Sequence, residues 1–264
     1  MIDMHVHTNF SDGKKKPIEV VELFRRAGYE KITITDHETI DGFLDLKENS
    51  ETNTLEVLPG IELEWLFQNK KIHALAYDFD IDNKEILDFV DTIKKNRRKE
   101  AVELFRKLRD FDKKIYFAIL QCKDVSFQRI IDELVNRGYG NLKEDILRKY
   151  FSEGKDLYVK EYFPNMIDTA ALVKRAGGFV SLAHPKRYFT ISELASVIDD
   201  LRACGIEAIE CFHPSHDENY IRACLNLAHK YHMKITVGSD YHDGEMIYSF
   251  SNRIIELEKK YLLY

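Results

Sequence analysis

The run Ile2-Asp3-Met4-His5-Val6-His7 opens the chain and carries the main clue to the fold. Its apolar residues recur at every second position, a period that is typical of a strand with one buried face. Both histidines lie on the other face, so two imidazoles point the same way at the end of the predicted strand. Taken alone, such a pair fits an exposed edge strand equally well.

Six further runs of β-forming residues follow, most of which end at a polar residue. They cover residues 31–37, 55–62, 72–77, 178–184, 207–212 and 234–240. Between several of these runs, as in residues 20–27 and 194–201, apolar side chains recur three and four positions apart, which indicates amphipathic helices. Alternating strands and helices predict an α/β fold with a parallel sheet or barrel of seven strands.

This alternation stops between about residues 83 and 165. Long, strongly charged stretches there keep helical spacing, for example at Phe89 and Ile93 and again at Ile130 and Leu134. We expect a helical insertion, or cap, within a single domain that spans residues 1–264.

The composition excludes several classes of protein. With 264 residues, of which 44% are hydrophobic, the chain can bury a sizeable core, so it is neither disordered nor fibrous. A net charge of -6 argues against a broad nucleic-acid surface, although a local basic pocket for phosphate remains open. Four cysteines without a CxxC pair predict reduced thiols and a cytoplasmic protein. No apolar run approaches the roughly 18 residues of a membrane span, so no membrane partner is expected.

Nine side chains of the types that bind metals fall at or just beyond the predicted strand ends. They are His5, His7, Asp12, His37, Glu62, His73, His184, Asp240 and His242. Individually, His73 is typical of a core residue and Asp12 of a turn residue. However, the strand ends of a parallel barrel meet at one rim, where such folds place their active sites. Together the nine residues therefore predict a metal site.

The types of donor atom in this set limit the metal and the chemistry. Nitrogen and carboxylate donors without thiolate suit Mn, Fe or Zn, and nine ligands exceed what one ion needs, so we expect two or three divalent ions. Clustered ions lower the pKa of a bound water and neutralise charge on the attacking and leaving oxygens. Hydrolysis of a phosphate ester is the expected reaction.

The ordered motifs resemble those of the polymerase and histidinol phosphatase (PHP) family. They are His5-x-His7 with Asp12, Thr35-Asp36-His37, Gly60-Ile61-Glu62, His73, Ala183-His184-Pro185 and Gly238-Ser239-Asp240-x-His242. The stretch from Glu133 to Lys160 is similar to the bacterial branch with a small helical cap. That branch includes phosphatases of 3',5'-nucleotide bisphosphates and enzymes that act on the 5' ends of short RNAs. The resemblance implies a distorted seven-stranded, TIM-like β/α barrel.

The resemblance also implies how the metals are shared and how they act. One ion would be held by four residues, His5, His7, Glu62 and Asp240. A second would be held by Glu62, His73 and His184, and a third by Asp12, His37 and His242. A hydroxide that bridges two metals would then attack the phosphorus.

Several further residues are candidates for catalysis or substrate binding. His216 is the first candidate for the acid or a phosphate ligand, with His213 as the weaker alternative and a surface loop histidine as the other interpretation. The candidates for anion binding are Ser126, Arg129, Lys160 and Arg187. We expect a small phosphorylated substrate, a 3',5'-nucleotide bisphosphate or a short oligoribonucleotide, because the acidic chain is unsuited to long nucleic acid.

Two alternative functions remain open at the level of sequence. Histidinol-phosphate phosphatase matches the metal ligands equally well, although the cap pattern argues against it. A metal-stabilised binding module without turnover belongs to another class of function. All nine ligand positions are filled, however, and we expect no attached polymerase in a chain of 264 residues.

Overall fold

The computed structural model describes residues 1–49, 55–122, 126–244 and residue 250. The chain divides into two compact units. The barrel unit comprises Met1–Asp91 and Phe163–Tyr264, and the helical unit comprises Thr92–Tyr162. The helical unit lies within the region where the sequence predicts an insertion, and its role as a cap stays a prediction.

The barrel unit contains one sheet of seven strands that follow one another in chain order. The strands are β1 (Ile2–Val6), β2 (Lys31–Ile34), β3 (Glu56–Phe67), β4 (Lys70–Tyr77), β5 (Phe179–Leu182), β6 (Ala208–Phe212) and β7 (Lys234–Val237). A parallel bridge between Val6 and Tyr241 joins the first strand to the residues that follow the last, and the His7 amide donates to the Tyr241 carbonyl at 2.8 Å. The sheet is thus a nearly closed, distorted barrel, which confirms the predicted fold class.

Nine α-helices occur in the described part of the chain. They are α1 (Pro17–Arg26), α2 (Asp41–Asn49), α3 (Lys84–Phe111), α4 (Lys113–Leu120), α5 (Phe127–Asn136), α6 (Lys143–Ile146), α7 (Met166–Arg175), α8 (Ile191–Ala203) and α9 (Glu218–Lys230). The sequence at the start of α1 explains why the helix begins there. Pro17 stands in its first turn, and the Glu19 side chain accepts a hydrogen bond from the Lys16 amide at 2.8 Å. Its apolar side, with Val20 and Phe24, is buried in the core.

The parallel pairing expected for the sheet does not extend to β4. This strand runs antiparallel to both β3 and β5, whereas the pairs β1/β2, β2/β3, β5/β6 and β6/β7 are parallel. The reason is the link between β3 and β4, which consists of Gln68 and Asn69 at φ values of 47° and 61°. A two-residue loop with both residues in the left-handed region forms a hairpin, and it is too short for a crossover helix.

The predicted end of β3 at Glu62 is also wrong. Strand β3 continues to Phe67, so Glu62 lies in the interior of a long strand that pairs with β4. Glu64 is directly opposite His73 in this pairing, and Glu62 is opposite Leu75. Glu62 and His73 are therefore diagonal neighbours on one face of the hairpin, close enough for their side chains to meet.

Each unit has its own hydrophobic core. In the barrel unit, β1 and β2 pack against α1 through residues such as Val6, Phe24 and Ile32. In the helical unit, α3 to α6 enclose a cluster that includes Leu108 and Leu134. All four cysteines are free thiols.

Candidate metal centre

Side chains from seven segments of the barrel unit form three overlapping groups of possible metal ligands. The groups are His7, Asp12, His37 and His242; then His5, Glu62, His184 and Asp240; and then His37, Glu62 and His73. Within each group, the ligand atoms all lie within 4.8 Å of one another. The nine residues singled out from the sequence are the same nine that the fold brings together.

Glu62 is the centre of this constellation. Its Oε2 lies 3.2 Å from His5 Nε2 and 3.1 Å from His7 Nε2. Its Oε1 lies 2.8 Å from His73 Nδ1 and 3.0 Å from His184 Nε2. A carboxylate that reaches so many imidazoles can bridge two ions, as the family resemblance implies for this residue.

His7 connects two of the groups. Its Nε2 lies 3.3 Å from Asp240 Oδ1, while its Nδ1 lies 3.6 Å from Asp12 Oδ1. His7 therefore links the buried group around Glu62 to the group that contains Asp12 and His242. The side chains of Asp12 and His242 are 55% and 35% exposed. The centre is enclosed on one side and open to solvent on the other.

A second carboxylate, Asp36, shapes the loop that carries Asp12. It accepts hydrogen bonds from the Thr8 amide at 2.7 Å, from Thr8 Oγ1 at 2.6 Å and from Ser11 Oγ at 2.6 Å. Gly42 leaves room for it, because a Cβ there would lie 2.1 Å from Asp36 Oδ2. In the sequence, Asp36 stands out only as the neighbour of His37, and its supporting role becomes visible only in the fold.

Two of the ligand candidates have an unusual backbone conformation. His184 has φ 26° and Asp240 has φ 55°, in the left-handed region that residues other than glycine rarely adopt. Both follow short strands, β5 and β7 respectively. Residues in this conformation cluster at functional sites, although tight turns such as Gln68-Asn69 also use it.

The buried polar atoms of the site show that these residues fit metal ions. Among the described residues, four of the buried atoms that lack a well-formed hydrogen bond are His5 Nε2, His7 Nε2, Glu62 Oε2 and His184 Nδ1. Leaving such atoms unsatisfied is costly. His5 Nε2 and His7 Nε2 lie within 3.2 Å of Glu62 Oε2, and bound cations would satisfy these three atoms.

The electrostatics of the site couple the carboxylates to the histidines. Burial alone would raise the pKa values of Glu62 and Asp240, but the surrounding histidines hold both well below their usual range. In return, these carboxylates outweigh the burial of His7 and raise its pKa to about 9. Burial likewise acts to lower the pKa of His73, yet Glu62 and Glu64 raise it to about 9. Burial prevails at His184 and lowers its pKa to about 4.

These shifts predict that metal and protons compete for the site. His7 and His73 hold protons in the metal-free protein up to about pH 9, and an ion must displace them in order to bind. We expect the apparent Mn²⁺ affinity to rise with pH up to about pH 9, roughly tenfold per pH unit for each proton displaced. Competition with a chelator of known affinity, measured at several pH values, tests this. An affinity that does not change with pH would contradict it.

Comparison with known proteins places this centre in a family. A family model described as the PHP domain matches residues 3–216. The chain belongs to the PHP domain family. A 5'-3' exoribonuclease of Haemophilus influenzae is 24% identical over 249 residues, which are 91% of this chain and 89% of that protein.

Two further PHP relatives are informative. The 3',5'-nucleoside bisphosphate phosphatase of Chromobacterium violaceum is 24% identical over 247 residues, covering 91% of this chain and 87% of that protein. A crystal structure from Bifidobacterium adolescentis, of a protein described as a candidate metal-dependent phosphoesterase, is 26% identical with a TM-score of 0.69. That likeness covers 92% of this chain and 87% of the other.

Of the predicted anion-binding residues, Arg187 lies at the PHP centre. It belongs to the short helical turn that follows His184, and its Nη2 lies 2.6 Å from Asp240 Oδ2. Its side chain is 49% exposed, so the guanidinium is half in contact with solvent beside the ligands.

The other three predicted anion-binding residues belong to the helical unit. Ser126 caps α5 by accepting the Arg129 amide at 3.3 Å, and the exposed Arg129 contacts Cys122 Sγ at 3.3 Å. Lys160 lines a groove of about 570 Å³ together with Lys99 and Lys107. Substrate contacts by these residues stay predictions.

The two histidines that follow β6 have different surroundings. Nε2 of His213 lies 3.5 Å from Asp240 Oδ2, and its ring is 5.5 Å from that of His184. His216 is buried, faces the Cys211 carbonyl through Nδ1 at 3.1 Å and packs against the rings of His213 and Tyr220. Of the two, His213 is the one for which the structure shows a contact with the ligand groups, although the sequence favours His216.

Proposed function

We propose that this chain, a metal-dependent phosphoesterase of the PHP family, removes a phosphate from a small nucleotide. A 3',5'-nucleoside bisphosphate is the first candidate substrate, and a short RNA 5' end is the second. The observation that carries the proposal is the buried carboxylate Glu62, which is surrounded by imidazole nitrogens and shared by two of three overlapping ligand groups. The relatives named above as a bisphosphate phosphatase and an exoribonuclease support the two candidate substrates.

Two or three divalent ions, Mn, Fe or Zn, would be held by the nine residues of the three groups. When bound, such ions supply an activated water and stabilise the charge that develops on the phosphoryl oxygens. Among the described residues of the three groups, no cysteine contributes, so borderline and hard cations are favoured over soft ones.

Arg187 is the residue that would bind the phosphoryl group. Its guanidinium already lies against the carboxylate of Asp240 and remains half exposed. Guanidinium groups form paired hydrogen bonds with phosphate oxygens and keep their charge at all physiological pH values. An incoming phosphate would therefore meet a fixed positive charge at the edge of the centre.

His213 is the residue that would donate a hydrogen bond to the phosphoryl or leaving oxygen. The Ser215 amide lies 3.1 Å from His213 Nδ1 and can only donate, so Nδ1 of the neutral ring is an acceptor and the ring proton is on Nε2. This N–H is directed toward Asp240, and the side chain is only 3% exposed. His216, the residue first predicted for this role, packs behind it and stays a candidate.

Assays on four compounds test the proposal. The Mn²⁺-loaded protein would be given adenosine 3',5'-bisphosphate, AMP, histidinol phosphate and a 5'-phosphorylated oligoribonucleotide, with free phosphate and mononucleotides both measured. We expect the fastest release of phosphate from the bisphosphate. Preferred cleavage of the oligoribonucleotide would favour the second candidate, and preferred hydrolysis of histidinol phosphate would replace both. A protein that binds metal but cleaves none of the four would indicate a binding module.

Other properties of the chain stay predictions. Among the described residues, no helix combines the length and the apolar content that crossing a bilayer requires. A cytoplasmic location and the absence of long nucleic acid among the partners rest on the composition alone.

A further inference from the structure

Glu210, in the middle of β6, is a buried carboxylate that belongs to none of the three ligand groups. Its side chain is completely buried, and the strand around it, Ala208–Phe212, is buried as well. A carboxylate in such a place needs partners that satisfy both of its oxygens, because an unpaired buried charge is strongly destabilising. The identity of these partners shows what Glu210 does.

Both partners of Glu210 are metal-ligand candidates. Its Oε1 lies 3.0 Å from His5 Nδ1, and its Oε2 accepts the backbone N–H of His184 at 2.6 Å. The two histidines come from different strands, since His5 lies on β1 and His184 follows β5. One side chain therefore holds two ligand candidates that contact different oxygens of Glu62, Oε2 for His5 and Oε1 for His184.

The contact with His5 determines which of its nitrogens is left for a metal. An ionised carboxylate only accepts hydrogen bonds, and His5 bonds to Glu210 through Nδ1 whereas its Nε2 makes no well-formed hydrogen bond, so the proton of the neutral ring is on Nδ1. The lone pair is then on Nε2, which lies 3.2 Å from Glu62 Oε2 and 3.4 Å from Asp240 Oδ1. Carboxylates that hold the second nitrogen of a metal-binding histidine fix its tautomer and the orientation of its ring.

The contact with His184 stabilises an unfavourable backbone conformation. His184 has φ 26°, which a side chain with a Cβ tolerates poorly, and its amide is directed at Glu210. The bond from this amide to a charged acceptor is of the stronger kind. Glu210 thus helps to hold the turn that carries the His184 ring to Glu62.

The sequence leaves space for this carboxylate at one specific position. A Cβ on Gly238 would lie 2.2 Å from Glu210 Oε1 and 2.3 Å from the Cβ of His5. Only glycine fits between the two side chains. Gly238, Glu210 and His5 therefore form one packed unit behind the candidate ligands.

We infer that Glu210 is a positioning residue of the metal centre, which presents His5 Nε2 to one ion and holds the His184 backbone in place for the next. The inference rests on the metal-dependent function proposed above. It assigns Glu210 no contact with substrate or with the ions.

Glu210→Gln tests this role with almost no change of volume. If the new amide oxygen accepts the His184 N–H, the amide NH₂ must face His5 Nδ1, and the His5 proton is driven to Nε2, where it blocks the lone pair. We expect Mn²⁺ affinity to fall by about 10- to 100-fold, the usual effect of removing such a supporting group. The matched control is Glu207→Gln, just before β6. This change removes only the ion pair of Glu207 with Lys174 at 3.0 Å, so metal affinity should not change.

The readouts are the metal retained after dialysis against a chelator and the melting temperature of the metal-free protein. Weaker metal binding in a variant that folds supports the inference, whereas wild-type affinity in Glu210→Gln overturns it. If the wild-type protein itself binds no metal, both the proposed function and the inference fail. If the wild-type protein binds metal and Glu210→Gln binds it equally well, only the inference fails.

A measurement on the unmodified chain covers the case in which Glu210→Gln does not fold. Nitrogen-15 NMR of the Zn²⁺-loaded wild-type protein reports which nitrogen of each histidine carries a proton. We expect His5 to have its proton on Nδ1 and its metal on Nε2. The opposite arrangement would overturn the inference whatever the behaviour of the variant.

Discussion

Glu62→Gln is expected to lower turnover by about a thousandfold or more. Several kcal/mol of charge stabilisation by the ions depend on this ligand, and each 1.36 kcal/mol corresponds to a factor of ten in rate. The reason is geometric. Glu62 contacts four imidazoles at 2.8–3.2 Å, and His37 Nδ1 lies at 3.3 Å. An amide cannot bridge two cations, and its NH₂ group would face imidazole nitrogens that are needed as ligands.

Phosphate release and metal content per chain should be measured on the same preparation of this variant. The control is Glu56→Gln at the start of β3, because Glu56 is 56% exposed and pairs only at the surface with Lys31 at 2.9 Å. Circular dichroism would verify that both variants fold. Wild-type turnover by Glu62→Gln would exclude Glu62 as the shared ligand.

Removal of the metals is the second change with a large expected effect. It should abolish hydrolysis, and it should also lower the melting temperature by roughly 5–10 °C. A ligand present at about 100 times its Kd stabilises the folded state by about 2.7 kcal/mol, and each kcal/mol shifts Tm by roughly 2–4 °C in a chain of about this size. The metal-free protein also keeps Glu62, Asp240 and Glu210 buried without the metal ions that would offset part of their charge.

Thermal unfolding with and without a chelator tests this expectation, followed by separate addition of Mn²⁺, Zn²⁺ and Fe²⁺ to the depleted protein. Restoration of both activity and melting temperature by at least one ion is the expected result. Hydrolysis that persists after the metal content has fallen to zero would contradict the assignment of the whole centre.

The architecture was readable from local patterns because buried strands and amphipathic helices have different periods. The reversed strand β4 was not predicted, since its turn, Gln68-Asn69, lacks the Asn-Gly or Asp-Gly signal of a tight hairpin. A signal for the longer β3 was nevertheless present: apolar and acidic residues continue to alternate from Glu62 to Trp65. The hairpin explains why His73 and Glu62 meet although neither lies at the end of its strand.

The ligand candidates could be predicted because their chemistry is visible in the residue types and in their places beside strands. Glu210 could not be predicted in the same way. Its partners His5 and His184 are 205 and 26 positions away in the chain, and nothing local indicates that it meets them. The one available signal was a charged residue within a strand that is otherwise apolar.

The barrel closes where β1 meets the residues that follow β7, and this junction links metal binding to completion of the fold. The Asp3 carboxylate accepts hydrogen bonds from the His5 amide at 3.1 Å and from the Ser239 amide at 3.0 Å. Ser239 is 236 positions away from Asp3 in the chain. Asp240 and His242 follow directly, so they reach His5 and His7 only when the last strand has joined the first. A growing chain cannot assemble the complete ligand set before its final strand is made, and full metal loading therefore reports that the barrel has closed.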